Sequence, residues 1–316
     1  MSFYGELIAL LTTLCWSLGI FPFTEAVKRL GAVSLNLYRL LLAWVMVTIM
    51  LLFTGISFSE IITRPVFENF LWFGLSGIVG FSLGDFFGLS SFAMLGPKLA
   101  SVYTTLSPGV SLFFGYLILR ESINSIGVIG IALTIIGVIW LTLSKQDKRV
   151  AEERGFVRDT KGIVFALLSA VCQGLGLVLS KYAMGFKNQG LDIHPIHANW
   201  MRLMAAFFAA FLFSSFSGKL IEISKPVFKN QNKGLKFMFL GTFFGPVLGV
   251  SLSLYTITIL PVAVAQTIFA LLPVIILPLN LVFYKEKITV TSIIACMISI
   301  AGVAVLIWRN AILSLL

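Results

Sequence analysis

Residues Leu106 to Glu121 read LSPGVSLFFGYLILRE, and 165 positions further on Leu271 to Glu286 read LLPVIILPLNLVFYKE. Both stretches open on leucine, carry proline in third place, run on apolar and end with a basic residue followed by glutamate. Twelve residues separate proline from glutamate in each, Pro108 from Glu121 and Pro273 from Glu286, and a glycine stands sixteen positions beyond, Gly137 and Gly302. A shared segment at a fixed offset within one chain is the mark of a duplication.

The match extends outward. Ser76, Gly80, Gly84 and Gly88 stand at steps of four, and Gly241, Gly245, Gly249 and Ser253 repeat them at the same shift of 165. Small residues at that spacing let helix backbones approach closely. Further upstream the offset shrinks, because the second copy has a longer loop between its first two segments. NLYRLLLA (Asn36 to Ala43) answers to NWMRLMAA (Asn199 to Ala206) at 163, and ALLTTLCWSLG answers to ALLSAVCQGLG at 157. The copies occupy residues 1–144 and 161–316, joined by a charged linker over 145–160 within KQDKRVAEERGFVRDTK.

The duplicated text is suited to lipid. Of 316 residues 58% are hydrophobic and 11% charged, with 29 phenylalanines and a mean hydropathy of +1.00. A spanning helix needs about 20 mostly apolar residues. Ten segments qualify, near 5–24, 34–55, 69–92, 97–119, 123–143, 161–184, 197–217, 234–257, 261–284 and 289–308. The expected class is an all-α membrane protein of ten transmembrane helices arranged as two five-helix repeats. The first segment has no basic leader and no small-residue cleavage site, so it reads as a retained helix. The net charge of +10 resides mostly in the connecting loops, where it sets membrane orientation and does not call for nucleic acid.

Five is odd, so a second copy threaded after the first enters the membrane inverted. Inverted repeats are common in secondary transporters, whose sites lie near mid-membrane between the halves. The doubled five-helix unit, with an arginine early in its second helix and a Pro-x12-Glu-x15-Gly run over its last two, resembles the EamA-type members of the drug/metabolite transporter superfamily. That resemblance covers the whole chain. It implies a ten-helix carrier in the cell (plasma or inner) membrane that moves small metabolites, often outward, by alternating access.

Orientation divides the two lines of reasoning. Sixteen Lys and Arg fall after the odd-numbered segments and four (Arg64, Arg120, Lys187, Arg309) on the other side. By the positive-inside rule both termini lie outside the cytoplasm, whereas the resemblance implies both inside. The expectation that follows from the charge count is a chain with both termini outside the cytoplasm.

Ionisable groups at mid-membrane cost roughly 2.5–3.5 kcal/mol on insertion scales and so need a partner or a purpose. Arg39 and Arg202 occupy matched positions. A long arginine there can snorkel to the interface, or it can contact an anion or form a gating pair. Glu121 and Glu286, each beside a cation, read as interfacial caps or salt bridges, and Pro108 and Pro273 as pivots that bend their helices. Gly84 and Gly249 read as packing positions. A polar residue found in only one copy is free to serve an asymmetric substrate. Asp85 faces Val250 across the repeat, Lys181 faces Thr24, Trp16 faces Gln173, Gln266 faces Ser101, and Glu25 has no acidic mate. With Tyr103, these residues complete the set of substrate or coupling candidates. Asp85, in GFSLGDFF, reads either as a carboxylate paired with Arg39 or Lys181 or as a proton-coupling or substrate-contacting group.

His194 and His197 read as loop residues, and Cys15, Cys172 and Cys296 stand singly, so no metal site is expected. No paired catalytic carboxylates, HExxH or nucleotide-binding glycine loop occurs, which argues against an enzyme and against any cofactor or ATP. The expectation is a secondary-active carrier in the bilayer, coupled to protons or to exchange. Its best-fitting cargo is an amino acid or related amphipathic metabolite moved outward. The alternatives are a carrier of nucleotide sugars or drugs, or a non-transporting receptor or scaffold.

Overall fold

The structure is a computed structural model and describes residues 3–142, 160–185, 193–229, 233–276, 278 and 290–314. The charged linker, Asn280, Glu286 and the loop cations Lys187, Lys285 and Lys287 lie outside the described residues. Every regular element among those described is helical. In the first copy they are α1 (Tyr4–Leu30), α2 (Ala32–Phe53), α3 (Phe58–Thr63), α4 (Phe67–Gly77), a wide π-type turn (Ile78–Gly84), α5 (Asp85–Thr104), α6 (Ser107–Phe114), a π-type stretch that ends it (Gly115–Leu119) and α7 (Ser125–Thr142). In the second they are α8 (Thr160–Ala183), α9 (Pro195–Phe216), α10 (Leu220–Phe228), α11 (Gly234–Thr242), a second wide turn (Phe243–Gly249), α12 (Val250–Ile259), α13 (Val262–Phe269), α14 (Val290–Ile307) and α15 (Arg309–Leu313).

Seven helical stretches are long and apolar enough to cross a membrane: Tyr4–Leu30, Ala32–Phe53, Phe67–Ser91, Thr160–Ala183, Pro195–Phe216, Gly234–Ile259 and Val290–Ile307. Three shorter apolar helices, Ser107–Leu119, Ser125–Trp140 and Val262–Ile276, fall where the other predicted segments lie. One boundary differs from expectation. Helix α5 continues through residues 93–96, the predicted connection between the third and fourth segments, so Gly96 and Pro97 do not act as its stop. The second copy does break at the matching place, where Leu260 and Pro261 are extended before α13.

The duplication is visible in backbone detail. Two of the wide turns, IVGFSLG and FFGPVLG, coincide at the 165 shift. In each, an N–H reaches a carbonyl five residues back, Asp85 to Gly80 and Val250 to Gly245. Such turns are rare and cluster at functional sites, because the extra residue re-aims every side chain after it.

The copies cross over one another. Helix α1 lies along α11, α12 and the turn between them, while α8 lies along α4, α5 and the first wide turn. The opening helix of each copy therefore packs on the third helix of the other. Like packs with like elsewhere, α2 on α9 and α7 on α14. The small residues permit these approaches: a methyl group on Gly176 would come 3.1 Å from the Gly80 Cα, and one on Gly130 would come 2.7 Å from the Leu306 nitrogen. Ser76 Oγ donates to the Gly176 carbonyl at 2.6 Å, closing the same contact with a hydrogen bond.

Contacts between chain ends sort by side. Gly5 abuts Leu260 and Asn124 reaches the Arg309 carbonyl at one end of the bundle, whereas Gly234 abuts Leu30, Gly162 abuts Leu95 and Tyr38 bonds Ser224 at the other.

Candidate functional site

Where the two copies cross, a cavity of about 260 Å³ opens between them. It is small beside the roughly 300–1,000 Å³ of most ligand pockets. Two helices break against it. After α5 the chain turns at Thr105 and Leu106 before Pro108, and after α13 it turns at Ala270 and Leu271 before Pro273, the same positions at the 165 shift. Thr105, Pro108, Ala270 and Pro273 all line the cavity. Each proline stands in the first turn of the helix that follows the break, where its missing N–H costs nothing, so it starts a new helix instead of bending one, and interrupted backbone is tolerated at membrane depth where it lines a cavity.

One wall is polar. Asp85, first residue after the wide turn, accepts from Arg39 Nη2 through Oδ2 and from Gln173 Nε2 through Oδ1 at 2.6 Å. Arg39 Nη2 also donates to Asn36 Oδ1 at 2.8 Å. Gly84 makes room for this group, since a methyl group there would sit 3.0 Å from the Cys172 Cβ and 3.4 Å from Gln173 Nε2. Ser169 Oγ donates to the Gly84 carbonyl at 2.8 Å and ties α8 to the turn. The carboxylate is thus positioned by three helices.

The opposite wall is apolar and uses the same positions of the other copy. Trp16 stands where Gln173 stands, Val250 where Asp85 stands and Gly249 where Gly84 stands. The Trp16 ring lies against Gly249, whose missing side chain admits it, and meets Phe269 edge to face at 5.0 Å. Phe23 covers Gly241 and Gly245, whereas its mate Ser180 hydrogen-bonds Ser76 at 2.6 Å.

Arg202 faces the cavity from α9. It is 3% exposed and Arg39 is 4% exposed, so neither guanidinium snorkels to an interface as a long side chain near a helix end can. The Arg202 guanidinium lies over the Phe81 ring at 4.5 Å, within cation–π range. Gln266, 8% exposed, completes the polar lining from α13.

Six of the sequence candidates therefore meet at one cavity: Asp85, Arg39, Arg202, Trp16, Gln173 and Gln266. Three lie elsewhere. Glu25 pairs with Lys28 at 3.0 Å and Arg29 at 3.2 Å near the end of α1. Tyr103 packs beside Leu95, Ala100 and Ala166. Lys181 pairs with Glu121 at 2.6 Å, not with Asp85, and its ammonium also donates to the Leu260 carbonyl at 2.7 Å. Glu121 Oε2 in turn accepts from the Val262 N–H at 2.9 Å, so the pair caps the end of α12 and the start of α13 together.

His197 is no loop residue. It lies in α9, 1% exposed, with Nε2 hydrogen-bonded to the Ile61 carbonyl at 2.7 Å, and so anchors α3. Phe23 and Phe81 also line the cavity, although in so phenylalanine-rich a chain nothing local in the sequence sets them apart. Their one sequence signal is position: each falls in or opposite the glycine ladder. Among the described residues no three His, Cys, Asp or Glu gather as a metal site would require.

Both copies match a known family. Residues 3–143 and 160–308 each fit the EamA-like transporter family. A protein of Clostridium kluyveri described as an uncharacterized transporter is 27% identical over 242 residues, covering 73% of this chain and 70% of that protein. A solved crystal structure 17% identical in sequence superposes with a TM-score of 0.70 over 98% of this chain and 99% of the other, which speaks to the fold.

Proposed function

We propose that this chain, which belongs to the EamA-like transporter family, is a secondary-active carrier whose substrate sits in the cavity between the copies and is moved by alternating access. The observation that carries the reading is the place of that cavity at the crossing of the copies: each wall draws on both, Asp85 and Arg39 with Gln173 on one side and Trp16 with Gly249 and Phe269 on the other, so a rocking of one wall against the other would open it to either side in turn. Ten spanning segments, with the three shorter apolar helices counted among them, give the inverted arrangement that such a motion needs.

The walls differ in kind, which favours a small amphipathic cargo with a polar head toward Asp85, Gln173 and Gln266 and an apolar body toward Trp16 and Phe269. Amino acids and their relatives fit this pattern. The volume favours them over nucleotide sugars, which are larger and bear several charges. Export across the plasma or inner membrane, driven by a proton gradient or by exchange, completes the reading.

The test is flux. Proteoliposomes preloaded with amino acids should show saturable release that responds to an imposed pH gradient and disappears in protein-free vesicles. Absence of saturable flux for amino acids, sugars and nucleotide derivatives alike would count against a carrier.

A further inference from the structure

Building on the carrier reading, we infer that Arg202 is the docking group for an anion on the substrate, and that the transported class carries a carboxylate or an oxyanion of similar size on an apolar body. The mate of Arg202 in the other copy is Arg39. Arg39 has two partners, Asp85 and Asn36 Oδ1, both reached through Nη2. Arg202 lacks both partners. The residue matching Asn36 is Asn199, whose amide nitrogen donates to the Pro246 carbonyl at 2.8 Å and to Ser251 Oγ at 3.1 Å. The Asn199 Oδ1 is buried with no hydrogen-bond partner among the described residues; the Nε atoms of both arginines are likewise buried and unpartnered, so what separates Arg202 from Arg39 is the lack of the carboxylate and the amide oxygen that Nη2 of Arg39 holds. The two oxygens of Asp85 are taken by Arg39 and Gln173.

One carboxylate against two guanidinium groups leaves the cavity with a surplus positive charge. A buried charge without a counter-charge is costly, and a cation in a membrane interior is stabilised by whatever anion can reach it. The local geometry favours an oxyanion. Phe81 covers one face of the guanidinium, which leaves its edge as the donor surface, and a planar fork of N–H groups matches a carboxylate in two-point fashion. Gly80 keeps that edge open, because a methyl group there would lie 3.2 Å from Nη2.

Purified protein in detergent tests this by thermal stability against four probes of one shape: L-phenylalanine, 3-phenylpropionate, phenylalaninamide and phenethylamine. Wild type should be stabilised by the two carboxylates and much less by the amide and the amine. Arg202→Met should weaken carboxylate binding by about 10- to 100-fold, the expected worth of a charge-assisted contact, and leave the other two unchanged. Arg202→Lys should restore part of the preference. Without ligand, Arg202→Met should fold at least as well as wild type, since it removes an uncompensated charge.

Equal stabilisation by amide and acid, no stabilisation by either carboxylate, a carboxylate preference that survives Arg202→Met, or failure of that variant to fold would each overturn the assignment. Carboxylate binding without flux in proteoliposomes would sink the carrier reading and leave the Arg202 site standing. Flux whose carboxylate preference ignores Arg202 would do the reverse.

Discussion

Gln173 and Trp16 occupy one position of the two copies, and they face the same cavity from opposite walls. Gln173 donates to Asp85, whereas Trp16 lies on Gly249, next to the Val250 that replaces Asp85. Duplication supplied two copies of one backbone frame, glycine ladder and wide turn included. Divergence at two coupled positions then made one wall polar and the other apolar.

The Trp16 wall should therefore bind without holding the fold. Trp16→Ala removes the ring from Gly249 and its edge-to-face contact with Phe269, a pair of a kind worth about 0.5–1.5 kcal/mol beyond burial. The expected outcome is a half-saturation concentration raised on the order of tenfold with maximal flux kept, since 1.4 kcal/mol is about one decade. Trp16→Phe should recover much of the loss. A fall in maximal flux with unchanged half-saturation would mean that the ring serves the motion and not the binding.

The Asp85–Arg39 pair should behave differently. Removing one partner of a buried ion pair costs about 3–5 kcal/mol, and the 22% exposure of the Asp85 side chain points to the lower figure. Arg39→Met should accordingly lower the thermal midpoint in detergent, and Arg39→Met with Asp85→Asn should recover at least half of that loss, because the second change removes the stranded charge. Flux through Asp85→Asn alone reads the coupling role. If Asp85 carries the proton, this variant keeps exchange but loses its response to a pH gradient, and wild-type gradient dependence would rule that role out.

What the sequence made legible follows from the physics of the repeat. Asp85, Trp16 and Gln173 stood out because a duplication exposes every position at which the copies disagree. The helix contacts were legible as ladders, although the crossing of α1 onto the other copy's third helix was not, since small residues announce close approach without naming the neighbour. The wide turns were invisible: Ile78–Gly84 has no residue type that prefers five-residue hydrogen bonding, and its packing against α8 and α9 selects it. Lys181 went to Glu121 and not to Asp85 because distance along a helix fixes the level at which a charge sits, and Lys181 lies in the last turn of α8, level with Glu121 and Leu260.

That clip yields a third prediction. Lys181 and Glu121 bind each other and also a carbonyl and an N–H that α12 and α13 leave unpaired. Lys181→Met should lower stability by about 1–3 kcal/mol, the usual penalty of an orphaned buried polar group. The charge-swapped protein, Lys181→Glu with Glu121→Lys, should not recover, since an ammonium cannot accept from the Val262 N–H and a carboxylate cannot donate to the Leu260 carbonyl. Full rescue by the swap would show that charge alone matters there.

Gly77 offers a steric test of the site's frame. A methyl group on it would overlap the backbone carbonyl of Arg202, which no rotamer change can relieve. Gly77→Ala should push α9 from α4, reducing folded yield and the carboxylate preference together. Gly109→Ala, where a methyl group meets nothing within 4 Å, is the matched control and should leave both unchanged.

The last prediction concerns which way the bundle faces. Sixteen Lys and Arg follow the odd-numbered predicted segments, one of them, Lys98, within α5, and by the positive-inside rule that side should lie in the cytoplasm. The end bearing the Lys181–Glu121 clip then faces outward. In a chain with Cys15, Cys172 and Cys296 replaced by serine, Ser122→Cys should react with a membrane-impermeant maleimide on intact cells. Ser217→Cys, exposed at the opposite end beside the basic α10 loop, should react only after lysis. The reverse labelling pattern would place both termini inside, as the family resemblance implies, and would make the loop charges of this chain subordinate to its packing.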